Sequence, residues 1–134
     1  MTVGLSAVNT ANAWLNVLRG NGAGVTFTAP ATQAAKLHFG DPGAAGANNA
    51  AAGDTSRKTI GYGAASAGSM SLSTAAPVWT NGGTSETLSH ISVWDATSAG
   101  NFQYSAALSA SQAWASGNTF TLTSLTFSLT PIAA

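Results

Sequence analysis

The apolar positions near the N-terminus recur at helical spacing. They share one side of a helix: Leu5, Val8, Ala11, Trp14, Leu15 and Leu18. Thr2 or Ser6 can cap the start of this helix, and Gly20 supplies a stop. The pattern predicts an amphipathic helix at about 5–19, with Trp14, Leu15 and Leu18 facing inward. Truncating Leu18 to alanine should then cost about 2–5 kcal/mol, as for other buried leucines.

Short β-rich runs bounded by turn signals, some of which alternate between apolar and polar residues, predict strands in the rest of the chain. The runs are 25–28, 34–39, 59–62, 70–74, 78–80, 86–95, 102–109 and 118–130. The apolar phase of the last run changes between Leu122 and Leu125, so that strand must bulge, bend or switch between two sheets. The pattern therefore predicts an all-β fold, a jelly-roll-like β-sandwich over about 25–134 that carries the helix, in a single domain spanning 1–134.

Composition excludes several classes of protein. Only 6 % of the residues are charged, with four basic and four acidic side chains, so the chain has no basic patch for nucleic acid. No apolar run approaches about 18 residues, and no signal peptide is visible, so neither a membrane partner nor export is expected. Cysteine is absent, which excludes disulfides and thiol chemistry. A neutral surface with so few charges favours association with other subunits.

The ionisable residues offer weak candidates for chemistry. His38 and Asp41 lie near one strand end, and His90 or Asp95 could complete a metal site, but no ligand motif spaces them. Glu86 and Asp95 bound one predicted strand, about 30 Å apart if extended, which is too far to flank one glycosidic bond. No Gly-x-Ser-x-Gly or phosphate-loop motif is present. We therefore expect no catalytic residues, no metal and no cofactor.

The strand 102–109 offers a candidate interface. Its face opposite Phe and Tyr is small and uncharged: Gln103, Ser105, Ala107 and Ser109. Such side chains are cheaper to bury than ions, so this face predicts self-association, and Ser105→Lys should weaken it. Trp79 and Trp114 are further candidates, either in the core or at an interface, with a carbohydrate-binding surface as the rival interpretation.

Three stretches together carry a family resemblance. They are the segments 14–20 (WLNVLRG), 36–46 (KLHFGDPGAAG) and 86–108 (ETLSHISVWD through AGNFQYSAAL). The chain resembles the small virion proteins of long-tailed phages of actinobacteria, which are labelled tail fibre proteins or minor capsid (head decoration) proteins. The resemblance implies a structural protein without enzymatic activity.

The resemblance leaves head and tail both open, and our main expectation is a decoration protein on the outside of the capsid, bound to the major capsid protein. Icosahedral heads offer local three-fold positions, so a trimer is favoured for its self-association. The alternative is a tail fibre or minor tail protein that contacts other tail proteins and has a host-surface or carbohydrate-binding role. In either case the subunit would assemble in the bacterial cytoplasm, where disulfides are rare.

Overall fold

A computed structural model describes residues 3–19 and 28–129, and shows a mostly β, sandwich-like protein with one short N-terminal helix. The helical segment starts with a π-helical turn, Ala7–Ala11, and continues as α1, Asn12–Leu18. The strands are β1 (Gly4–Leu5), β2 (Gln33–His38), β3 (Lys58–Ile60), β4 (Ser69–Ser71), β5 (Val78–Thr80), β6 (Glu86–Trp94), β7 (Phe102–Trp114), β8 (Thr119–Thr121) and β9 (Thr126–Ser128). The all-β prediction with one N-terminal helix is confirmed.

Five strands form the main sheet, in the order β1-β7-β6-β2-β3, with every pair antiparallel. Side chains alternate between its two faces. One face is apolar and buried, and it carries Ala35, Leu37, Ile91, Val93 and Tyr104. The other face is polar, and it carries Lys36, His38, His90, Ser92 and Ser105.

Two ribbons of two strands each contribute side chains to the core on the apolar face. One pairs β5 with β8 and brings Trp79 against Phe120, with ring centroids 6.2 Å apart. The other pairs β4 with β9 and brings Phe127 against Tyr104, with centroids 5.2 Å apart. Since β8 and β9 belong to different ribbons, the phase change between Leu122 and Leu125 corresponds to the last of the three alternatives above, a switch between sheets.

The helical segment meets the main sheet with its polar side. The register between β6 and β7 shifts at Val93/Trp94. Beside that shift, the carbonyls of Phe102 and Gln103 accept hydrogen bonds from the N-terminal segment. The donors are the Ser6 N–H (2.7 Å), the Asn9 side-chain amide (2.9 Å) and the Thr10 hydroxyl (2.8 Å). Buried carbonyls need donors, so the polar residues of the helix are held inward.

This orientation corrects the predicted packing of the helix. Trp14 does contact the body, edge to face with Phe127 at 5.9 Å. Leu15 and Leu18 face outward, and 63 % and 81 % of their surface is exposed. The predicted cost of 2–5 kcal/mol for Leu18→Ala is therefore wrong for the single subunit, because there is little burial to lose.

Some sequence predictions fall outside the described residues. The predicted strand at 25–28 lies there except for Thr28, which belongs to no strand, and so do the helix signals at Thr2 and Gly20. Within 3–19 and 28–129, no helix is long and apolar enough to cross a membrane.

Candidate functional site

A chain of hydrogen bonds runs through the polar face of the main sheet. The His38 Nδ1 lies 2.7 Å from the Asn48 carbonyl, and its Nε2 lies 2.7 Å from the Ser92 hydroxyl. A carbonyl only accepts, so Nδ1 carries the proton and the neutral ring accepts from Ser92 through Nε2. The Ser92 oxygen in turn accepts from the Trp94 indole N–H at 2.8 Å. The polar side-chain atoms of His38, Ser92 and Trp94 therefore all have a hydrogen-bond partner.

The same Ser–His geometry occurs in activated nucleophiles, but here it is sealed from solvent. His38 and Ser92 each have 0 % exposed surface. A serine nucleophile must reach a substrate carbonyl, and this hydroxyl has no path to one. The arrangement stabilises the sheet and fixes the loop that carries Asn48.

Acidification should weaken the fold through His38. Burial lowers its pKa below the ordinary 6.5, and the neighbouring Lys36 and His90 lower the pKa further. The hydrogen bond to the Asn48 carbonyl raises the pKa, but by less than burial lowers it. The unfolded chain therefore takes up the proton first. The free energy of unfolding should fall as pH drops through about 6.5, and level off below the folded pKa. Urea unfolding between about pH 7 and 5 measures this slope.

A matched pair of variants isolates the effect. His38→Asn keeps a donor for the Asn48 carbonyl but removes the titrating ring, so the slope should disappear. His90→Asn, on the neighbouring strand, should retain a slope. Equal slopes in wild type and His38→Asn would contradict the assignment.

The predicted metal candidates do not converge. Both ring nitrogens of His38 are engaged, and the Nδ1 of His90 contacts the Ser89 hydroxyl at 2.8 Å. An Asp41 oxygen accepts from the Gly43 N–H at 2.8 Å. Among the described residues, no three His, Cys, Asp or Glu side chains come together as metal ligands.

Glu86 and Asp95, the carboxylates considered as a glycosidase pair, instead accept hydrogen bonds from two separate loops. Glu86, at the start of β6, accepts from the backbone N–H groups of Ala52 (3.2 Å) and Gly53 (2.8 Å). Asp95, past the other end of β6, accepts from the Asn101 backbone and side chain at 2.6 and 2.9 Å. They flank no common cleft, and each has a local structural role.

The stretches that carry the family resemblance also have structural roles. The loop at 40–50 folds back beside the end of β2, where His38 pairs with Ala50. Its residue Pro42 is buried, and Gly46 lies against the Phe102 ring. The turn after β6 is held by Arg57, whose guanidinium donates to the carbonyls of Ala96 (3.2 Å) and Ala99.

The tryptophans offer little surface for a sugar. Trp79 and Trp114 are 0 % and 1 % exposed in the core, so neither reaches the surface as an interface or carbohydrate-binding residue. Trp94 carries the Arg57 guanidinium 3.6 Å above its ring, and Trp14 packs on Phe127. Two of the residues considered for a sugar-binding surface thus lie in the core, and the carbohydrate interpretation stays a prediction.

The four strand residues predicted as an interface divide into two pairs. Gln103 and Ser105 are buried, 7 % and 5 % exposed, beneath the N-terminal segment of the same chain. Ala107 and Ser109 are exposed. A lysine at 105 would therefore disturb the fold itself, so Ser105→Lys does not test assembly as expected. Only Ala107 and Ser109 remain available to a partner.

Several of the exposed apolar side chains lie on the helix, and Phe39, Val78 and Leu129 are exposed elsewhere in the fold. Val8, Leu15 and Leu18, the N-terminal stripe, project from the helical segment, and Val8 is 77 % exposed. The helical spacing in the sequence predicted that these residues share one side of a helix, and we expected that side to face the core. The opposite orientation follows from the Asn9 and Thr10 side chains, which donate to the Phe102 and Gln103 carbonyls and so turn the side that bears them toward the sheet.

Comparison with known proteins gives one family. The family model described as "Podophage GP4 fiber I protein gp80" matches residues 4–130, which cover all the strands and the helix. No curated protein matches the chain.

Proposed function

Because the chain belongs to the podophage GP4 fiber I protein gp80 family, we propose that it is a non-enzymatic fibre subunit of the phage virion. The observation that carries the proposal is the extent of the match, residues 4–130. It includes both the sheet and the N-terminal helix, so the likeness extends over the whole described fold. The chain is thus a phage virion structural protein, and its position as a fibre is the proposed part.

The geometry supports a structural role. The Ser–His pair is buried, and Asp95 and Glu86 hold loops. The side chains weighed for chemistry therefore take part in the packing of the fold. A virion structural subunit needs no catalytic centre, so this arrangement supports the proposal.

The family description favours a fibre over the capsid decoration protein that was the main expectation. We accordingly propose other tail proteins and further copies of this chain as partners, in place of the major capsid protein. The description names a podophage, whereas the sequence resemblance was to long-tailed phages, and an actinobacterial host is not part of it.

Labelling of intact virions tests the position. Antibodies raised against the purified protein, detected by gold in electron microscopy, should bind at the tail fibres. Antibodies against the major capsid protein serve as the control and should cover the head. Label from the first antibody spread over the head would overturn the fibre assignment in favour of decoration.

A further inference from the structure

A pocket of about 160 Å³ lies between the helical segment, the main sheet and the β4–β9 ribbon. Its wall is mostly apolar and includes Met70 and three aromatic rings, those of Trp14, Tyr104 and Phe127. Trp14 and Tyr104 both pack on Phe127, with ring centroids 5.9 and 5.2 Å away. These contacts fix the shape of the pocket, and the space between the rings is close to the roughly 150 Å³ in which an apolar protein cavity holds benzene.

One polar atom of the wall lacks a partner. Gln33 begins β2 and shares the apolar face of the sheet with Ala35 and Leu37, because alternate residues of a strand point to the same side. Its Oε1 is buried and accepts no hydrogen bond from the described residues. Folded proteins rarely leave such an atom unpaired, because it has given up its hydrogen bonds to water. A ligand that fills the pocket and donates one hydrogen bond would remove this cost.

The other polar side chains of the wall are already paired. The Thr10 hydroxyl donates to the Gln103 carbonyl at 2.8 Å, and the Gln103 side-chain amide donates to the Asn101 carbonyl at 3.3 Å. The Tyr104 hydroxyl is hydrogen-bonded to that of Tyr62. Among the described residues that line the pocket, none is charged.

This chemistry selects the class of ligand. A water molecule needs two to four polar partners and a sugar carries several hydroxyl groups, so one unpaired acceptor suits neither. An ion would lose its hydration without gaining an opposite charge. We propose that the pocket binds one phenolic ring, which packs against the aromatic wall and donates its hydroxyl to Gln33 Oε1.

A surface groove of about 440 Å³ adjoins the pocket, since Pro30, Gln33 and Met70 line both. A ring in the pocket can therefore remain attached to a larger molecule. The phenolic ring has two sources, a free small molecule or the tyrosine side chain of a partner. This binding site goes beyond the structural role proposed above and does not depend on it.

Methyl NMR of the full chain tests the site. The chain has two methionines, Met1 and Met70, and Met70→Leu identifies the signal that belongs to the pocket. Phenol should shift the Met70 signal through its ring current and reach saturation at millimolar concentration. A Met70 signal that phenol does not move would overturn the proposal. N-acetyl-tyrosinamide distinguishes the sources: a shift with it supports a tyrosine side chain, and a shift with phenol alone supports a free molecule.

Benzene, which has no donor, tests the pairing with Gln33. Gln33→Met keeps the length of the side chain and removes the acceptor, so the affinity for phenol relative to benzene should fall by about three- to tenfold. A Met70 shift with benzene in this variant shows that the pocket is intact. Gln112→Met, at an exposed glutamine of β7, should keep the wild-type ratio. An unchanged ratio in Gln33→Met would rule out the phenolic ligand, and the wild-type titration decides occupancy even if that variant does not fold.

Discussion

Replacing Gly46 by alanine should lower the free energy of unfolding by about 2–5 kcal/mol, measured by urea denaturation. Two effects combine. The backbone at Gly46 has φ +69°, a left-handed conformation that costs a residue with a Cβ about 1–2 kcal/mol. A Cβ placed there would also lie 2.2 Å from Cδ2 of Phe102, a buried ring that cannot move freely.

Gly117→Ala separates the two effects. Gly117 has φ +81°, but a Cβ there would meet nothing within 4 Å. Its cost should be the backbone part alone, about 1–2 kcal/mol. Similar losses for the two variants would mean that the loop at 40–50 moves away from Phe102 without penalty.

Replacing Trp79 by alanine should cost about 3–5 kcal/mol. The indole has 0 % exposed surface, packs against Phe120 and donates to the Ser56 carbonyl at 3.1 Å. Its removal leaves a large cavity and an unpaired carbonyl. Equilibrium unfolding followed by circular dichroism measures the loss.

The adjacent Val78 provides the control, because it lies on the same strand and is 45 % exposed. Val78→Ala should change stability by less than about 1 kcal/mol. A Trp79→Ala protein as stable as Val78→Ala would refute the core position of the indole. Since Trp79→Ala weakens the whole fold, loss of glycan binding in this variant would not identify a sugar site.

The sequence predicted the position of several strands closely. The predicted run 78–80 coincides with β5, and 86–95 is within one residue of β6. The phase change at 122–125 predicted a bulge, a bend or a switch between sheets, because a single uniform strand cannot bury both halves. The structure has the switch, with β8 and β9 in different ribbons. Strand β7 extends to Trp114, beyond the predicted end at 109, since alternation stops where the register against β6 becomes irregular.

The direction of the helix could not be predicted in the same way. Periodicity identifies which residues share a side, but the side that meets the body depends on what the body presents. Here it presents the Phe102 and Gln103 carbonyls, which result from a register shift that the sequence pattern does not show. The burial of Ser105 could not be predicted either, because it depends on the pairing of β1 with β7, which are far apart in the sequence.

The expectation that no ionisable groups form a catalytic or metal site stays a prediction. It rested on the lack of a motif spacing and, for Glu86 and Asp95, on distance along one strand. The buried Ser92–His38 pair was not foreseen, because the residues lie 54 positions apart and meet only through the β2–β6 register. Long-range pairing of this kind carries no local signal.

The pairing of β1 with β7 sets the order in which a newly made chain can finish folding. The Gly4 N–H contacts the Ser105 hydroxyl, 101 residues further along. At about 5–20 residues per second, the ribosome needs on the order of 5–20 s to supply that partner after the N-terminus appears. During this interval the helical segment cannot make its hydrogen bonds to the Phe102 and Gln103 carbonyls, because β7 has not yet been synthesised.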